Sequence, residues 1–226
     1  MVSPPQSQVS SRSSPCTGLF AAFTLVEVLV VIAIIGILAG LLVPALSRSR
    51  ERAKAVRAHA ELHGIGLALE MYGSDNDNRL PPVRVNCNSD LASHWCELPV
   101  ELARQRYLPL GSQPGREAKL LDIFNPDHTY KYAAPGAQLL NGAPGGNFAL
   151  WIPTNAPGTA IAGKYFTDPK LSPVRWVVWS LGPEPNGPKS QSTYAPLHPD
   201  SWYRGTGDGG VIIRYADRDG TQFTSP

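Results

Sequence analysis

The sequence predicts an α+β chain: a long N-terminal helix, apolar in its first half, packed on a small antiparallel β head rich in loops. Three observations carry that prediction. From Val28 to Leu46 there is no ionisable side chain. Apolar residues then recur at helical steps as far as Tyr72. Beyond that point, where most of the 21 Gly and 22 Pro fall, the clearest apolar runs are short and rich in Val, Ile and Trp.

The first element opens with "FTLVEVLVVIAIIGILAGLLVP", residues Phe23 to Pro44, in which Glu27 is the one charged residue. At ~1.5 Å per residue such a run can cross a hydrocarbon layer of ~30 Å. An acidic residue in the centre of a membrane costs roughly 2.5 to 3.5 kcal/mol, less toward the interface, so Glu27 is a functional candidate whose partner has to be found. Pro44 removes one helical hydrogen bond and is expected to kink or locally melt the helix.

The next stretch, "ALSRSRERAKAVRAHAELHGIGLALEMYG", continues as an amphipathic helix. Ala53, Val56, Ala60, Leu67 and Met71 form one stripe and Leu62, Ile65, Leu69 and Tyr72 a second, together a broad face able to cover a sheet. Gly73 and the polar "SDNDN" end it. The expected organisation is a polar, Ser- and Pro-rich leader at 1–22, a membrane helix at 23–46, its amphipathic continuation at 47–73 and one head domain at 74–226.

In the head, "RWVVWS" (Arg175 to Ser180) and "GGVIIRY" (Gly209 to Tyr215) read as strands, with "KLLDIF" before Asn125 as a short third element. Cys87 and Cys96 lie close enough in sequence to form a disulfide in an oxidising compartment. The formal charge of +2 argues against a nucleic-acid partner. "HAELH" is not the order in which a helix binds catalytic zinc. "DNDN" at Asp75 to Asn78 reads as a turn, because Leu80 stands where a calcium loop needs glycine and Asn86 where it needs glutamate. There is no GxSxG elbow, phosphate loop or Cys-x-x-Cys pair, so an enzyme is not expected. An exposed aromatic groove built from Trp176, Trp179 or Trp202 would mark a carbohydrate-binding head instead.

Phe23-Thr24-Leu25-Val26-Glu27 at the head of an apolar run resembles the mature start of type IV pilins and type II secretion pseudopilins. "HGIGLALEMYGSDNDNRLPP" is similar to the helix end and turn of major-pseudopilin-like proteins. The resemblance implies a pilin-like fold and cleavage by prepilin peptidase between Ala22 and Phe23, where the family usually has glycine before the bond. It further implies N-methylation of Phe23, assembly through Glu27 and a helix kink at Pro44. The implied protein is an inner-membrane subunit with a periplasmic head. It polymerises with its own copies or other pseudopilins on an assembly platform into a pseudopilus for type II secretion. The alternative is a minor type IV pilin with an adhesive, DNA-binding or cargo-binding head.

Charge alone points the other way on topology, since Arg48, Arg50, Arg52, Lys54 and Arg57 follow the span and only Arg12 precedes it. "WSLGPEPNG" followed by "GTGDGGVIIRY" is similar to a C-terminal region that commonly holds calcium in major pseudopilins, which makes Glu184 and Asp208 candidate ligands.

Overall fold

The computed structural model describes residues 24–86, 96–109, 120–154, 156, 163–191 and 196–226. The chain forms two compact units that divide between Ala45 and Leu46. One helix, α1 (Leu25–Asp75), supplies the described structure of the first unit and the start of the second. It is assigned as helix on both sides of Pro44, so the expected local melting does not occur, although the proline cannot donate to the carbonyl of Gly40. The helix also runs past Gly73 to Asp75. Asp77 and Asn78, both with positive φ, then reverse the chain, and the amide of Asn78 donates to the Gly73 carbonyl.

In the second unit the central sheet is antiparallel, in the order β2 (Lys131–Ala133), β7 (Val174–Ser180), β8 (Ile212–Asp217), β9 (Gln222–Thr224). β7 is apolar almost throughout because it is buried on both faces, with Arg175 its least buried residue. β1 (Val83–Val85) pairs in parallel with β3 (Gly136–Leu140), which forms a hairpin with β4 (Ala143–Phe148). That parallel pair is an exception to the expected antiparallel head. β5 (Leu150–Ile152) and β6 (Lys164–Phe166) make a separate antiparallel pair. Short helices α2 (Val100–Arg104) and α3 (Pro188–Gln191) complete the unit. Of "KLLDIF" a single bridge forms among the described residues, from Leu121 to Thr129.

Only one of the two expected stripes of α1 is buried. Ala55, Ala58, Leu62, Ile65, Leu69 and Tyr72 enter the core, whereas Val56, Leu67 and Met71 remain exposed. Steps of three and four keep the buried set on a single line, and at 3.6 residues per turn the exposed set falls on nearly the opposite face of the helix, so a sheet packed on one line leaves the other uncovered. The helix approaches the sheet closely at Gly66, where an added Cβ would lie 2.8 Å from Cη2 of Trp176. The Trp176 indole N–H donates to Glu70 at 2.7 Å, and Arg175 pairs with the same carboxylate at 3.2 Å. Tyr130, fully buried, donates to Glu61 at 2.6 Å.

Two predictions follow from this packing. Gly66→Ala forces Trp176 off its seat and should cost about 1 to 3 kcal/mol, measured by chemical denaturation of the full chain in detergent. His59 sits against Thr224 at 3.1 Å, and its pKa is lowered from the ordinary 6.5. Burial is the main cause and Arg214 adds to it, against an opposing hydrogen bond at Pro226. Folding therefore favours the neutral ring, so this contribution is complete above the unfolded value and is lost as pH falls through the lower folded value. Thermal stability should drop on acidification below about 6.5, and His59→Gln should flatten that part of the profile.

Candidate functional site at the helix start and in the head loops

The partner of Glu27 within the chain is the residue that begins the helix. The amide of Thr24 donates to Glu27 Oε2 at 2.9 Å and its hydroxyl donates to the same oxygen at 2.8 Å. In return the amide of Glu27 donates to Thr24 Oγ1 at 3.3 Å. This is a capping box, Thr-x-x-Glu, in which two otherwise unpaired helix-start amides are satisfied reciprocally. The spacing is legible in the sequence once the helix start is placed. Glu27 Oε1 makes no hydrogen bond among the described residues and can accept a further donor. Ala22 and Phe23, the expected cleavage and methylation positions, lie outside the described residues.

From Leu25 through Arg50 every helix side chain is exposed, including Leu29, Ile32, Ile35, Leu41 and Leu42. Among the described residues α1 is the one helix long and apolar enough to cross a membrane. The basic cluster beyond it is partly used within the second unit. Arg57 pairs with Glu61 at 2.7 Å, Arg52 donates to Thr206 at 3.2 Å, and the Lys54 ammonium lies 5.7 Å from the centre of the Phe124 ring.

The head loops do not fit the calcium ligation that the resemblance implies. Asp208 Oδ1 accepts from the Lys189 ammonium at 2.6 Å and from the Gly210 amide at 3.0 Å, while Oδ2 accepts from the Arg204 amide at 3.2 Å. Burial, the largest single influence, pushes the Asp208 pKa up. Lys189 and the two amides outweigh it and hold the carboxyl below its ordinary value. The Leu181 carbonyl accepts from the hydroxyl of Ser190 at 2.7 Å. α3 thus brings an ammonium and a hydroxyl to the oxygens a cation would need. Glu184 lies instead against Gly187 and Gly209, and no group of three or more metal-ligating side chains forms among the described residues. Gly182 allows the loop its course, with a φ of 73° and the Gly210 carbonyl occupying the place of a Cβ.

The other candidates divide. Trp176, Trp179 and Trp202 are 0%, 1% and 7% exposed, so they do not build the exposed groove that would have marked a carbohydrate-binding head; Trp176 and Trp179 are core residues of β7, and Trp202 is buried in the loop before β8. Cys96 is a free, buried thiol whose pKa burial pushes up to about 12, with nearby Lys131 opposing. Cys87, its expected disulfide partner, lies outside the described residues.

An exposed apolar helix opened by a Thr–Glu cap is the setting of a prepilin-type N-terminus, and residues 20–43 match the prokaryotic N-terminal methylation motif. The chain is similar to type II secretion system core protein G from several bacteria. It is 48% identical to that of Aeromonas hydrophila over 61 residues, which is 27% of this chain and 42% of the relative. It is 43% identical to that of Pseudomonas aeruginosa over 56 residues, 25% and 39% of the two chains. It is 36% identical to that of Escherichia coli K12 over 83 residues, 30% and 57%. The matches therefore span well under two thirds of these relatives. No solved structure matches the chain significantly.

The loop geometry predicts how the head responds to metal removal. A calcium chelator should leave the thermal midpoint of the full chain within about 1 °C. Lys189→Met, which removes a partly exposed ion pair, should lower stability by about 0.5 to 1 kcal/mol. A large loss of midpoint on chelation would show that a bound cation, and not Lys189, holds the loop.

Proposed function

We propose that this chain is a pseudopilin subunit: cleaved between Ala22 and Phe23 by a prepilin peptidase, N-methylated at Phe23, and polymerised into a pseudopilus for type II protein secretion. The methylation motif lying across an apolar helix whose side chains are all exposed carries this reading. Such a helix has no partner among the described residues; in this reading lipid covers it before assembly and neighbouring copies after it. The similarity to type II secretion core proteins supports the choice of machine. In this reading the subunit is a structural, non-enzymatic component of the inner membrane, with its head in the periplasm and its assembly directed by an inner-membrane platform.

Cleavage would leave a positively charged α-amine on Phe23. In a bundle of such helices that amine can approach Glu27 Oε1 of a neighbouring copy, while Oε2 keeps its own capping box. Low dielectric strengthens the pair. Apolar neighbours such as Val31, Ile34 and Ile35 pack without specifying register, whereas the charge pair fixes it. The exposed stripe of Val56, Leu67 and Met71 offers further apolar surface to adjacent copies.

N-terminal sequencing and intact mass of protein from its native membrane should show a start at N-methyl-Phe23; retention of residues 1–22 would overturn the reading. Glu27→Val should insert in the membrane and be cleaved largely as the wild type is. Its incorporation into filaments, measured by cross-linking and shearing in cells lacking the wild-type copy, should fall strongly. Normal assembly of that variant would remove Glu27 from the mechanism.

A further inference from the structure

On the head, β3 to β6 frame a cleft of about 320 Å³ that has no part in the proposed assembly contacts. Trp151 and Tyr165, opposite each other across the β5–β6 pair, form one side of it. Their rings are 4.8 Å apart at 52°, and Tyr165 is 58% exposed. Trp151 packs closely on Gly163: an added Cβ there would lie 3.0 Å from its Cζ2, and the Gly163 amide is itself tied to Thr154 Oγ1 at 3.1 Å. The aromatic pair is therefore set in place before any ligand arrives, which lowers the ordering cost of binding.

Two side-chain amides also line the cleft. Gln138 spends one N–H on the Gly145 carbonyl at 2.9 Å, which fixes its orientation and leaves its oxygen as an acceptor. Asn147 is exposed and carries both a donor and an acceptor. Trp179 lines the cleft as well, and its buried indole N–H has no hydrogen-bond partner among the described residues. No Lys, Arg, Asp or Glu side chain contributes to the described lining.

We infer that this cleft binds a neutral saccharide, with the apolar C–H face of a sugar ring stacked on Trp151 and Tyr165 and its hydroxyls hydrogen-bonded to the amides of Gln138 and Asn147. A sugar ring has the two-sided chemistry that this lining matches, apolar on its faces and polar around its rim. Uncharged walls select against acidic ligands, which would lose hydration without gaining a counter-charge. The volume is at the small end for ligand sites, about 300 to 1,000 Å³, which suits one or two rings more than an extended peptide. The site does not depend on the filament reading, since every residue in it belongs to the head.

The test uses the full chain in a sugar-free zwitterionic detergent, titrated with maltotetraose, cellotetraose and N,N′-diacetylchitobiose. Binding is followed by tryptophan fluorescence and by saturation-transfer NMR. At least one sugar should bind saturably with Kd on the order of 0.1 to 1 mM. Tyr165→Ala, a surface change, and Trp151→Ala should each weaken it by about tenfold or more, while Tyr165→Phe, which keeps the ring, stays within about twofold. Thermal unfolding of each variant separates a lost site from a lost fold, and Tyr165→Ala alone is decisive if Trp151→Ala does not fold. No saturable binding up to about 20 mM, binding undiminished in folded Tyr165→Ala, or preferential binding of a proline-rich peptide would overturn the inference.

Discussion

The head is organised around the place where α1 lies on β7 with a single tryptophan ring between the two backbones. At Gly66 the helix has no side chain, so the Trp176 ring sits directly on its backbone, and Glu70 one turn on takes both the indole N–H and the Arg175 guanidinium. Close approach brings dispersion and desolvation of a large ring into one contact, and the polar edge of that ring is not left unpaired. β7 holds the centre of the sheet between β2 and β8, so the helix docked upon it sets the level from which the remaining layers are built.

The first unit obeys a different constraint. Its helix has no interior, and its leucines, isoleucines and valines are as exposed as its alanines. In water such a surface is unfavourable by roughly 25 cal/mol for each Å², so the helix calls for an apolar surrounding that the described residues do not supply. The second unit needs no such surrounding, since its core closes on itself. A chain made of these two parts can change what surrounds its helix without repacking its head.

How much of this was legible beforehand depended on range. β7 and β8 were plain as "RWVVWS" and "GGVIIRY" because unbroken Trp, Val and Ile runs have few other uses, and the apolar helix was plain from the absence of charge. Local periodicity could not say which of two stripes on α1 the sheet would cover, because the two lie on nearly opposite faces of the helix and the choice between them is made by side chains from distant segments. The same limit hid the role of Gly66, whose meaning comes from a tryptophan more than a hundred residues away. It also hid the parallel pairing of β1 with β3. Tryptophans 176, 179 and 202 were available in sequence for a surface groove, but position in the fold, on the central strand β7 for the first two, and not residue type, decided their burial. In the loop after β7, acidic residues suggested a cation; the lysine that supplies positive charge there lies on α3, with no spacing rule to link it to Asp208. The capping box was the opposite case, a local pattern that became readable only when the run was taken to start at Thr24.

That box bears on what happens when a chain is trimmed. Its donors are the amide and hydroxyl of Thr24 and the amide of Glu27, none of which belongs to the residue before Thr24. Hydrolysis of the bond ahead of Phe23 would leave all three hydrogen bonds intact, and the first turn would be held by the same atoms before and after the cut. The cleavage proposed above would then add a charge next to a first turn whose capping hydrogen bonds it does not touch.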